Sequence, residues 1–396
     1  MRKTIFCAAA LLLATTAIFT GCKKDPQTVN NQNFSYNVDK FYDLEVLRYR
    51  VEGFEQLTLQ QKQLIYHLSE AALQGRDILY DQNCRYNLRI RRALEAVYLS
   101  DSYKQQYNAE DKESQAYLME KYLKRVWFSN GIHHHYSEDK FLPEFTREWF
   151  EQALTEAQYN LEKEVLDVMF DPALMQKRMA QADGVDLIAS SAGNYYGEGI
   201  TQAEAEAWYA AHKDTSAEPK WIGLNSQLVK VNGEIQERVY HVGGLYSAAL
   251  EQVVESLKKA LAFVETEEQK LVIEKLIAYN QTGDLDTFNQ YCIAWVRDLN
   301  SRVDFVNGFT ETYADPLGIT GTWEAMVNFK NTESTHRTEL ISQNAQWFED
   351  HSTTDPKYKK EEVKGVSAKV ITAAILGGDC YPATPIGINL PNAHWI

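Results

Sequence analysis

The sequence predicts an α+β protein, mainly helical, and three observations lead there. Apolar residues recur at helical spacing over much of the chain, capping side chains stand at the head of several of those stretches, and one clear hairpin signal marks a small β component. At 396 residues the chain has room for two or three domains. Its 44% hydrophobic and 24% charged composition is that of a folded protein rather than a disordered one. A formal net charge of −15 repels phosphate backbones, so no nucleic-acid partner is expected. Five cysteines rule out a disulfide scaffold.

The N-terminus reads as an address. Arg2 and Lys3 precede an apolar run over residues 5–19, then Phe19-Thr20-Gly21-Cys22. Residues 1–21 are therefore expected to be a signal peptide. The small residues before Cys22 resemble a bacterial lipobox, which makes Cys22 a candidate lipidation site and implies a membrane-anchored lipoprotein of the cell envelope or periplasm. An ordinary signal peptide cut near Gly21 is the alternative. Residues 22–33 are polar and rich in Asn and Gln, a tether unable to bury a core.

Folded sequence begins near Phe34. Near-alternation over 41–51, with Leu47, Tyr49 and Val51, predicts a strand. Thr58 with Gln61 forms a capping box for a helix whose stripe is Leu64, Leu68, Ala71 and Ala72. Two further helices are expected over 86–124 and one over 145–168. Thr201 with Glu204 caps a helix over 202–212. The hairpin signal is Leu228-Val229-Lys230-Val231, then Asn232-Gly233, then Ile235 to Val239, because Asn-Gly suits the positive φ of a type I′ turn. Leu250, Val253, Val254, Leu257 and Leu261 keep helical spacing; Thr266 and Asp284 open two more helices.

Familiar catalytic signatures are absent: there is no phosphate-binding loop, no GxSxG, and no His followed by Glu. His133-His134-His135 is conspicuous. Adjacent side chains diverge on any regular element, so the three rings need an irregular loop to share one metal. A polar turn or the lining of a polar cleft are the other readings. Residues 308–316 place Glu311 and Tyr313 close together before a Gly-rich turn that leads to Glu324. A carboxylate there suits a cationic amine and a phenol suits a developing oxyanion. At 385–392, two prolines and a glycine hold Asn389 and Asn392 three apart. Cys84, Cys292 and Cys380 allow one disulfide, and spacing selects no pair.

Together these regions resemble peptidase family M49, the dipeptidyl peptidase III family. The matching stretches are 45–51, 75–82, 126–136, 139–143, 308–316 and 385–392, in the family's order. The resemblance implies two lobes around a cleft. It also implies a small β-barrel in a mixed lower lobe at 34–315, and a helical catalytic lobe that begins within 316–396. It implies zinc-dependent release of dipeptides from short peptides with a free N-terminus. By position, Glu311 would bind the substrate α-ammonium, Asn389 and Asn392 would assist, and Tyr313 would stabilise the oxyanion. Glu324, Ser129 and Asn130 would line the substrate side. The family's zinc motifs, HExxxH and EExxx(D/E), are missing. The chain is thus expected to be an inactive portion whose upper lobe is incomplete, without tightly bound zinc. The alternative is a non-catalytic peptide-binding envelope lipoprotein.

Overall fold

A computed structural model of the protein describes residues 34–365, 368–382 and 384–396. The leader, Cys22 and the tether lie outside the described residues. The chain divides into two compact units, one of residues up to 40 with 44–49, the other of 41–43 with 50–396.

The first unit is built on strands β1 (Asn37–Phe41) and β2 (Leu44–Leu47), which form a two-stranded sheet. The strand expected over 41–51 is thus displaced: Tyr42 turns the chain at φ 52°, and β2 has ended before Tyr49 and Val51. Arg48 folds back within this unit, donating to the Ser35 carbonyl at 2.8 Å.

In the second unit, α1 (Leu59–Gln74) starts from the anticipated box. Thr58 Oγ1 accepts the Gln61 N–H at 3.2 Å, and Gln61 Oε1 accepts the Thr58 N–H at 2.9 Å. Then come α2 (Arg76–Asn83), α3 (Asn87–Leu99), α4 (Asp101–Gln106) and α5 (Gln115–Phe128). The two helices expected over 86–124 are three, because Ser100 and Ser114 each cap a new start by accepting N–H groups of Tyr103 and Tyr117. The single helix expected over 145–168 is two, α6 (Arg147–Glu156) and α7 (Lys163–Phe170). Gln158, at φ 54°, ends the first, and no Gly or Pro advertises that break. Next are α8 (Gln202–His212) and the hairpin β3 (Ser226–Val231) to β4 (Glu234–Val239). Asn232 and Gly233 take φ 54° and 87° at its turn.

The helices α9 (Ser247–Ala260), α10 (Glu267–Thr282) and α11 (Leu285–Arg297) follow. They lead to β5 (Val303–Glu311) and β6 (Thr322–Lys330). Then come α12 (Thr332–Gln343), α13 (Ala345–His351) and β7 (Ile371–Gly378). The last three strands form an antiparallel sheet in the order β5-β6-β7. No closed barrel is found among the described residues: the strands make two two-stranded sheets and one three-stranded sheet. The boundary expected after residue 315 falls in the turn between β5 and β6.

One core joins a sheet face to α1, α9 and α10 through Leu64, Leu68, Leu257, Ile273, Phe305 and Trp323, all essentially unexposed. Each such side chain contributes about 1.5–3 kcal/mol. A second core unites α3, α5, α6 and α7. Among the described residues no helix is long and apolar enough to cross a membrane.

Candidate functional site

Strand alternation decides which side chains meet. Phe305, Phe309, Trp323, Ala325 and Val327 share the core face of the sheet, so the residues that alternate with them face the other way. Glu324 is one of those, opposite Gly308 on β5 and Gly378 on β7. Straight pairing past Phe309 would put Glu311 on the core face. A β-bulge between Phe309 and Glu311 intervenes and pairs Glu311 with Thr322, two residues from Glu324 and therefore on its face. Residues 308–311 are the end of strand β5.

The turn that follows is held from beneath. Asp315, buried, accepts the N–H groups of Leu317, Ile319 and Thr320 and the Tyr196 hydroxyl. Buried Gln82 of α2 fixes the start of β6: its Nε2 donates to the Gly321 carbonyl at 3.0 Å and its Oε1 accepts the Trp323 N–H at 2.8 Å. Glu311 and Glu324 thus stand on a strand pair anchored to α2.

Asn392 comes from 81 residues away to donate its Nδ2 to Glu311 Oε2 at 3.2 Å. Tyr313 is exposed. Glu311, as hydrogen-bond acceptor and as a charge, raises its phenol above the ordinary value, so it stays a donor. Glu324 is only 7% exposed and accepts the Cys380 thiol at 3.6 Å through Oε2. Burial first, then the charges of Glu311 and Asp379, push its carboxyl up to about 7. Burial also raises Asp379, which Arg178 counters in part. The structure therefore brings together Glu311, Asn392, Tyr313 and Glu324. Asn389 is exposed and makes no hydrogen bond to Glu311. Ser129 and Asn130 follow α5 and are buried. Asn130 Nδ2 donates to the Tyr381 carbonyl at 2.7 Å, beside Cys380, so it supports the turn that carries the thiol. Sequence reading named Cys380 only as a possible disulfide partner and did not single out Asp379.

The three histidines do not converge. His133 Nε2 pairs with the Met175 carbonyl at 2.8 Å, and burial pushes its imidazole down to about 4. His134 Nδ1 accepts the N–H groups of Tyr136 and Ser137, which leaves Nε2–H facing Asp43 at 3.4 Å. The His135 ring stacks on His134. Among the described residues no group of three or more His, Cys, Asp or Glu is placed to hold a metal ion. The donors present among the described residues therefore do not fit zinc. Cys84, Cys292 and Cys380 are free and buried. A cavity of about 840 Å³ borders Thr310 and Asn392 and is walled by Trp221, Phe288, Trp295 and Trp395.

Chemically, the arrangement is an acidic pocket with an amide donor and a phenol at its mouth, suited to a cationic amine. Comparison with known proteins gives the family. The sequence profile described as peptidase family M49 matches residues 188–396. The chain is 24% identical over 366 residues to dipeptidyl peptidase 3 of Dictyostelium discoideum, covering 86% of this chain and 51% of that protein. It is 24% identical over 383 residues to dipeptidyl peptidase 3 of Rattus norvegicus, with the same shares. The structure of DPP III from Caldithrix abyssi is similar at a TM-score of 0.60 and 17% identity, over 86% of this chain and 53% of that one. The structure of dipeptidyl-peptidase III from a Corallococcus strain is similar at 0.57 and 18% identity, over 87% and 52%. The chain spans about half the length of the curated relatives it matches.

Proposed function

Because the chain belongs to peptidase family M49, we propose that its Glu311 pocket captures the free α-ammonium of short peptides. In this reading the pocket serves the zinc-dependent release of N-terminal dipeptides that full-length members of the family perform. Glu311 supplies the charge, Asn392 holds the carboxylate in place, and Asn389 joins when peptide is present. Tyr313, kept protonated, donates to the oxyanion that develops at the scissile carbonyl. Fixing the amine fixes how far the backbone reaches, which sets a cut after two residues. Glu324 lies behind Glu311, and Ser129 and Asn130 line the substrate side of the same lobe. The chain contains no His-Glu pair for an HExxxH site, so by itself it binds peptide without cleaving it.

The observation that carries this reading is the Asn392–Glu311 hydrogen bond at 3.2 Å. It joins two motifs that would have no reason to meet in a solvated turn. Calorimetry of the full chain with tetra-alanine tests it. A free N-terminus is expected to bind, N-acetylation to abolish binding, and Glu311→Gln to weaken it by about 10–100-fold, the size of a charge-assisted hydrogen bond. Equal affinity for the acetylated and free peptides would overturn it. We also propose export and anchoring through Cys22. Loss of membrane association and of incorporated labelled palmitate in Cys22→Ala is expected; unchanged labelling refutes the anchor.

A further inference from the structure

Glu324 is a carboxyl with unusual company. Across β5 and β7 its neighbours are Gly308 and Gly378, so no side chain stands directly opposite it on either strand. Open space surrounds the position a Gly308 Cβ would take. The groups that act on Glu324 come from each element packed around it. From β5 there are Glu311 and the Thr310 hydroxyl, and from the turn that follows it the Tyr313 phenol. From the turn after β7 there are Asp379 and the Cys380 thiol, and from α11 the buried Tyr291. Two are acids, four are neutral, and none is a base. Glu311, Glu324 and Asp379 make no ion pair with Lys or Arg among the described residues. Arg178 is the cation that acts on Asp379. A buried acid beside two others, without a counter-cation, has one inexpensive way to stay neutral, which is to keep its proton.

We propose that Glu324 holds a proton in the peptide-free protein and releases it to solvent when a peptide ammonium docks on Glu311. The inference rests on the reading of Glu311 as the amine site. The balance is simple. The incoming ammonium keeps its own charge, the Glu324 O–H bond breaks, the proton leaves to buffer, and the pocket gains a second carboxylate for the one cation. A cation arriving within about 4–6 Å lowers a carboxyl by about 1–3 pH units, enough to empty Glu324 near neutrality. Cys380, as thiol donor to Oε2, favours the ionised form once the proton has gone.

The test is calorimetry of the full chain with tetra-alanine at pH 6.5, where the peptide amine is already protonated. It is run in phosphate and in Tris, whose ionisation heats differ. Release of about 0.7 proton per peptide bound is expected for the wild type, and none for Glu324→Gln. Binding without release, or the same release in Glu324→Gln, overturns the proposal while leaving amine capture intact. Absence of peptide binding overturns amine capture and this inference with it. An independent readout needs no variant to fold and no peptide to bind. The peptide-free wild type at pH 6.5 should show an infrared carboxylic-acid C=O band that is lost on titration to pH 9. A protein without that band refutes the proposal.

Discussion

Glu324→Gln should stabilise the fold at neutral pH and do so in a pH-dependent way. The carboxyl is 7% exposed, and burial holds its proton up to about 7 instead of the ordinary 4.5. In the unfolded chain the group ionises at the lower value. Between those two values the folded state carries a proton that the unfolded state has lost, so stability falls as pH rises through that window. It is fully present below about 4.5 and lost above about 7. At about 1.4 kcal/mol per unit, the loss comes to about 3 kcal/mol. Glutamine has nearly the same shape and no proton to lose. The stability difference between variant and wild type should therefore grow by about 3 kcal/mol from pH 4.5 to pH 7.5, in favour of the variant. Urea unfolding of both proteins at half-unit steps of pH measures it, with titrating groups remote from Glu324 cancelling in the difference. A difference that stays flat across that range would refute the argument, since it would mean that Glu324 titrates alike folded and unfolded.

Asn392→Ala should weaken tetra-alanine binding about threefold to tenfold, less than Glu311→Gln, since it removes the group that steadies the carboxylate rather than the charge itself; an undiminished affinity in titration calorimetry contradicts that role. Gly75→Ala should destabilise the protein by about 1–3 kcal/mol or more, because the new methyl would fall 1.8 Å from Trp323 Cε2 in the core; an unchanged urea midpoint would show that α2 can retreat from the indole freely.

What could be read from the chain alone follows from how local each signal is. Thr58 with Gln61, Thr201 with Glu204, and Asn232-Gly233 act within four residues of themselves, and all three appear where expected. Strand β6 escaped because nearly every position in it is buried, from Thr322 through Phe329. Burial on both faces erases the alternation that marks a strand. The break between α6 and α7 escaped because Gln158 takes a left-handed backbone without a glycine to announce it. Glu311, Tyr313, Glu324, Asn389 and Asn392 were legible only as a set, through family resemblance. Nothing local says that Asn392 reaches Glu311, a contact made by the fold across 81 residues. Asp379 and Cys380 were invisible as site residues for the same reason, since their importance depends on β7 lying beside β6 at Glu324.

The bulge between Phe309 and Glu311 makes the recognition chemistry a matter of parity. A strand sorts its residues as odd and even, and one supernumerary residue exchanges the two classes for everything beyond it. Deleting the supernumerary Thr310 would straighten the strand and set the Glu311 carboxylate directly after Phe309, still across from Thr322 and still on the Glu324 side. Losing the bulge with the chain length kept would instead hand that charge to the side occupied by Phe305 and Trp323. The face of the recognition carboxylate is thus set by its partner on β6 and not by its count along β5.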